Sequence, residues 1–123
     1  MTKLKTLSPD FEDWPRSWMG VDEDLAYGKK LLEEFRPFAE YLISSGLSDK
    51  TIKKHLTNLW LLGGELIRIV CNDEEYHIPP KKVLLDSIDS YGGPSCRHLD
   101  SEDAEKSFDS TCKKLYKHMK NNC

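Results

Sequence analysis

No stretch of this sequence approaches the roughly 18 consecutive apolar residues of a membrane-spanning helix. The first residues, MTKLKTLSPDFEDW, contain no apolar core of a secretory leader. No membrane partner is expected, and the expected setting is cytoplasmic. An excess of positive charge is missing too. Eighteen Lys and Arg stand against 21 Asp and Glu, a formal net charge of −3. The chain as a whole is therefore not a polycation drawn to nucleic acid or anionic lipid.

Constellations that carry chemistry are equally scarce. The four cysteines, Cys71, Cys96, Cys112 and Cys123, allow two disulfides on parity alone. Without a leader, and with enough apolar residues for a core, reduced thiols are expected instead. Cys112 falls on the apolar face of an expected helix, a core position, and Cys123 is the last residue and should fray. Cys71 and His77 are six apart and Cys96 and His98 two apart. Neither spacing is the C-x2-C or H-x3-H of a structural zinc site, so surface loop histidines are expected. Cys96 and His98 also fail as a nucleophile pair, because adjacent loop side chains seldom face each other and no third orienting group is identifiable. There is no phosphate-binding glycine loop, since Gly63-Gly64 lies within an expected helix and Gly92-Gly93 ends one. No catalytic residue, metal or cofactor is expected, and the chain is not read as an enzyme. Strand alternation, internal repeats and low-complexity segments are absent as well.

What the sequence does contain is helical periodicity. With 123 residues, 38% of them hydrophobic and 32% charged, one domain with a single core is expected. The stretch from Leu31 to Val70 organises it. Leu31, Phe35, Phe38 and Leu42, flanked by Leu32, Ala39 and Ile43, recur as one buried helix face, and Ile52, Leu56, Leu59, Leu66 and Val70 repeat the pattern. Between them, Gly46 suits a left-handed helix end and Ser48 suits an N-cap. Leu47 and Ile52 have the spacing of a hydrophobic staple.

The first helix is expected to start near Asp24, its dipole complemented by Asp22, Glu23 and Asp24, and to kink at Pro37. The second should run from Asp49 to about Cys71. Gly63-Gly64 in its middle costs about 1 kcal/mol per glycine relative to Ala, which fits either a close crossing by another helix or a local bend. Pro79-Pro80 opens a short third helix with Val83, Leu84, Leu85 and Ile88 inside, stopped at Tyr91-Gly92-Gly93-Pro94. Asp100 or Ser101 caps a fourth, which buries Ala104, Phe108, Cys112, Leu115 and Met119 and ends in lysines. The expected fold is all-α, a single-domain bundle of four main helices over residues 23–121. Residues 1–22 read as an extended segment packing on the body. Their Phe11, Trp14 and Trp18 either cover an apolar gap in it or form a docking surface for another protein.

Charge segregates along the chain. Residues 71–105 hold three basic residues against nine acidic ones, a net of −6. Residues 48–70 hold four against two, and residues 106–123 hold five against one. On the second helix Lys50, Lys53, Lys54 and Asn58 are assigned to the face away from Ile52, Leu56 and Leu59, with His55 at its flank. Lys113, Lys114 and Lys117 are the matching residues of the last helix. Such a face is either simply solvated or a contact for a phosphate backbone.

The run FAEYLISSGLSDKTIKKHLTNLWLL resembles the N-terminal core-binding (SAM-like) domain of phage integrases and tyrosine recombinases. Phe38, Leu42, Gly46, Leu47, Ser48, Thr51 and Ile52 carry the likeness. It extends more loosely to Leu84, Leu85 and Ile88 and to SFDSTCKKLYKHM, covering about residues 25–121. It implies an integrase-like SAM-like helical module that binds double-stranded DNA. The catalytic domain of those enzymes, with its arginines, histidines and nucleophilic tyrosine, has no counterpart here, so no recombination by this chain alone is expected. The chain also looks similar to small stand-alone bacterial proteins. Two functional expectations stand side by side. One is weak or complex-dependent DNA binding through the lysine face. The other is a protein-interaction module without DNA contact, docking through Trp14, Trp18 or the acidic 71–105 region.

Overall fold

The computed structural model describes residues 3–94 and 99–121; the readings of Cys96, Arg97, His98 and Cys123 lie outside them. Among the described residues the fold is all-α, with no strand. Two long helices form its centre, α3 (Asp22–Ser44) and α4 (Asp49–Asp73), and α6 (Glu102–Asn121) packs on α4. A short helix, α5 (Pro80–Ser87), lies against α3.

The corner between α3 and α4 follows from its residues. Gly46 takes φ +86°, where a side chain would be strained. Ser48 Oγ accepts the Thr51 backbone N–H at 3.2 Å and so satisfies one orphan donor of α4. Leu47 packs against the core and Ile52 is fully buried. The apolar faces meet in one cluster around Phe35, Phe38, Leu42, Leu59, Leu66, Phe108 and Leu115. Burying each such side chain is worth about 1.5–3 kcal/mol.

Helix α3 starts two residues earlier than its charge pattern suggests, and its start is more than a dipole effect. Asp24 Oδ2 accepts the backbone N–H groups of Gly20 and Val21 at 2.8 and 3.1 Å, and its Oδ1 accepts the Tyr76 hydroxyl at 2.6 Å. That hydrogen bond holds the Tyr76 pKa above its ordinary value. Nearby, Tyr27 donates to the Ile78 carbonyl at 2.6 Å, and burial pushes its pKa up to about 12. The loop after α4 is thereby tied to the start of α3. Pro37 lies within α3, which continues through it unbroken.

The N-terminal segment corrects the sequence reading. It is not extended: Lys3–Leu7 form α1, Phe11–Asp13 a 3-10 turn and Trp14–Trp18 α2. Pro15 sits in the first turn of α2, where a missing N–H costs nothing. Phe11, Trp14, Trp18 and Phe35 form a chain of ring contacts at centroid distances of 4.6, 6.0 and 6.1 Å. Trp14 is 3% exposed and Trp18 half-buried, so these rings pack into the fold.

Trp18 also accounts for the paired glycines. Its indole lies on Gly63, where an added Cβ would overlap the ring. Its Nε1–H donates to the Trp60 carbonyl at 3.0 Å, and Trp60 Nε1–H donates back to Ser17 Oγ at 2.8 Å. The close crossing in the middle of α4 is made by this tryptophan of α2.

Candidate nucleic-acid interface

The joint between α4 and α6 is polar, buried and fully satisfied. Asn58 Nδ2 donates to Thr111 Oγ1, Ser107 Oγ and the Ser107 carbonyl at 2.9, 3.0 and 3.2 Å. His55 Nδ1 lies 2.7 Å from Thr111 Oγ1. Either tautomer completes the group. With Nδ1 as acceptor, the Thr111 hydroxyl donates to it; with Nδ1–H, the hydroxyl turns to the Ser107 carbonyl at 3.3 Å. His55 and Asn58 are each 7% exposed. Their assignment to the solvent-facing lysine side is therefore corrected: they are joint residues, positioned where a phosphate does not reach them.

The joint sets which lysines meet. His55 pairs with Thr111, while Asn58, further along α4, reaches back to Ser107, so the two helices run antiparallel. The start of α4 then lies beside the later turns of α6. At 3.6 residues per turn, Lys54 follows Asn58 on the side of α4 that faces α6. Lys114 follows Ser107 and Thr111 on the opposing side of α6. Both charges act on His55, whose pKa is lowered first by burial and then by Lys114 and Lys54. Lys50 stands one turn before Lys54 and Lys117 about one turn after Lys114, so helical geometry sets these four lysines along the two helices at the joint as a ridge.

Two candidate lysines lie off the line of these four. Lys53, about 100° around α4 from Lys54, borders a cavity with Leu7, Ser8, Asp10, Trp14 and Trp60 on the N-terminal side. Lys113 lies on the flank of α6 that carries Asp109, which accepts the Gly93 N–H at 3.1 Å. Both are exposed; Lys53 turns away from α6, whereas Lys113 stands one turn before Lys117 and flanks the ridge.

The ridge is electrostatically open. Among the described residues no carboxylate pairs with Lys50, Lys54, Lys114 or Lys117. Asp49, the acid of the first α4 turn, is held by Lys3 at 2.9 Å. Beside the ridge, Lys114 and Lys117 border a cleft of about 390 Å³ with Tyr41, His118 and Asn121. The opposite pole of the molecule is acidic, with Asp22 and Glu23 at the start of α3, Asp73 and Glu74 at the end of α4, and Glu102, Asp103 and Glu105 opening α6. Sequence charge counts hinted at this separation. The pairing of Lys54 with Lys114 depends on contacts more than 50 residues apart.

Among the described residues no group of three or more His, Cys, Asp or Glu could hold a metal ion. No helix among them is long and apolar enough to cross a membrane. In comparisons with known proteins, no family model, curated protein or solved structure matches this chain.

Proposed function

We propose that this chain is a non-catalytic, cytoplasmic helical module that contacts the phosphates of double-stranded DNA through Lys50, Lys54, Lys114 and Lys117. One observation carries the reading: Lys54 of α4 and Lys114 of α6 come together at the joint beside His55, Lys50 and Lys117 lie about one turn from them, and among the described residues none of the four pairs with a carboxylate. Phosphate contacts need clustered cations free to shed their counterions. A local ridge provides them even where the net charge is −3. The acidic pole keeps the attraction weak and directional, which suits a module that binds within a larger complex. The resemblance to the core-binding, SAM-like domain of integrases agrees with this role, with the α3–α4 corner at Gly46 and Ser48 as its signature.

The test is fluorescence anisotropy with a labelled duplex at low salt. Replacing Lys54, Lys114 and Lys117 with Glu should abolish binding, while Lys81→Glu on α5 should leave it intact. Equal affinity of both variants would overturn the assignment.

A second reading is favoured by the acidic pole and by Tyr91, which is 84% exposed at the tip of the Asp89–Gly92 turn. A basic protein partner would fit there without any DNA contact. It predicts that Asp22→Lys with Glu23→Lys abolishes partner binding, whereas loss of the ridge lysines does not.

A further inference from the structure

We propose that the cleft between Tyr41 and the last turns of α6 takes an unpaired nucleobase, whose phosphate rests on Lys114 and Lys117. The inference builds on the phosphate-binding ridge and adds a preference for DNA with a single-stranded end. Tyr41 is the exception among the aromatic side chains of α3. Tyr27, Phe35 and Phe38 are at most 5% exposed, but Tyr41 is 45% exposed. It is nevertheless held in place. Its ring stacks on Phe38 with planes 22° apart and centroids 6.2 Å apart, and His118 packs against it at 5.0 Å. His118 is in turn fixed edge-on to Phe38 at 5.5 Å. An aromatic ring braced by its neighbours and still 45% exposed offers a stacking platform that every base can use.

The remaining lining selects the ligand. Besides Tyr41 and His118 the cleft is lined by Lys114, Lys117 and Asn121, and among the described residues no carboxylate borders it. Two cations favour an anion, the exposed ring favours a flat partner, and the Asn121 amide can both donate to and accept from a base edge. The volume of about 390 Å³ lies at the lower end of the roughly 300–1,000 Å³ usual for small-ligand sites. A nucleotide satisfies all three demands. A base stacked within a duplex cannot present its face to Tyr41, so the occupant is an overhanging or extruded base. Because Lys114 belongs to both ridge and cleft, a strand end entering the cleft continues the track of the duplex phosphates.

The experiment uses the full chain and three labelled probes: a blunt duplex, the same duplex with a short single-stranded overhang, and that overhang made abasic. The overhang should bind about fivefold or more tightly than the blunt duplex, and the abasic overhang should lose that gain. Tyr41→Ala should abolish the preference and Tyr41→Phe should keep it, with both variants checked for unchanged thermal melting. Equal binding of blunt and overhang probes overturns the base site and leaves the ridge standing. Overhang binding without blunt-duplex binding supports the base site and overturns the ridge. Binding of none of the probes overturns both.

Discussion

His55 Nδ1 and Thr111 Oγ1 stand 2.7 Å apart across the α4–α6 joint, 56 residues apart in the chain. That contact, with the three donations from Asn58, fixes the register of the two helices. A shift of one turn, about 5.4 Å, would separate Lys54 from Lys114 and leave buried polar groups unpaired. An unpaired buried group costs about 1–3 kcal/mol, so the network holds the lysine ridge together although none of its members touches the proposed ligand.

The same joint makes stability depend on pH. Burial, then the charges of Lys114 and Lys54, lower the His55 pKa, and burial lowers that of His118, which faces Tyr41, Phe38, Lys114 and Lys117. In the unfolded chain both titrate near 6.5. Between the lowered values and 6.5 the unfolded state binds more protons, so stability is fully present above 6.5 and is lost as pH falls below it. The melting temperature should drop between about pH 7.5 and pH 5.5. Replacing His55 and His118 with Gln should shrink that drop; an undiminished drop would contradict the assignment.

Gly63 and Gly64 should respond oppositely to alanine. At Gly63 the new methyl would displace the Trp18 indole from its seat, costing about 2 kcal/mol or more despite the better helix propensity. At Gly64 the methyl would make ordinary contact, 3.4 Å from Trp18 Cδ1, and the gain of about 1 kcal/mol in propensity should survive. Urea midpoints distinguish the two, and tryptophan emission should shift in Gly63→Ala alone. Equal midpoints would contradict the packing described.

Glu74 closes α4 in the left-handed region at φ +53°, the position glycine usually occupies. Its carboxylate also lies at the negative end of the helix dipole. Glu74→Gly should therefore raise stability by about 0.5–1 kcal/mol, read as a higher urea midpoint at constant slope. A lower midpoint would count against it.

The sequence made the helical hairpin legible because its signals are local. Gly46, Ser48 and the two apolar stripes act within a few residues of one another. The last helix was equally plain, and Ser101, one of its two candidate caps, accepts the Ala104 N–H at 3.0 Å. The N-terminal helices were obscured by Pro9 and Pro15, although Phe11, Trp14 and Trp18 already carry helical i, i+3, i+7 spacing. The sequence alone puts His55 and Asn58 on the wrong side for a different reason. They sit at the border of the apolar stripe, and only a partner on another helix decides whether a border residue is solvated or buried. Thr111 is that partner, and nothing in the α4 sequence announces it. In sequence Asp24 looks like a dipole charge alone for the same reason, since its partner Tyr76 lies 52 residues away.

The salt dependence of duplex binding tests the central claim most directly. If Lys54 and Lys114 each neutralise a phosphate, the logarithm of affinity should fall linearly with the logarithm of salt concentration. Replacing both with Ala should reduce the slope by about two and leave the fold intact by circular dichroism. An unchanged slope, or no binding by the unmodified chain at about 50 mM salt, where phosphate-driven affinity is strong, would contradict the ridge as a DNA contact.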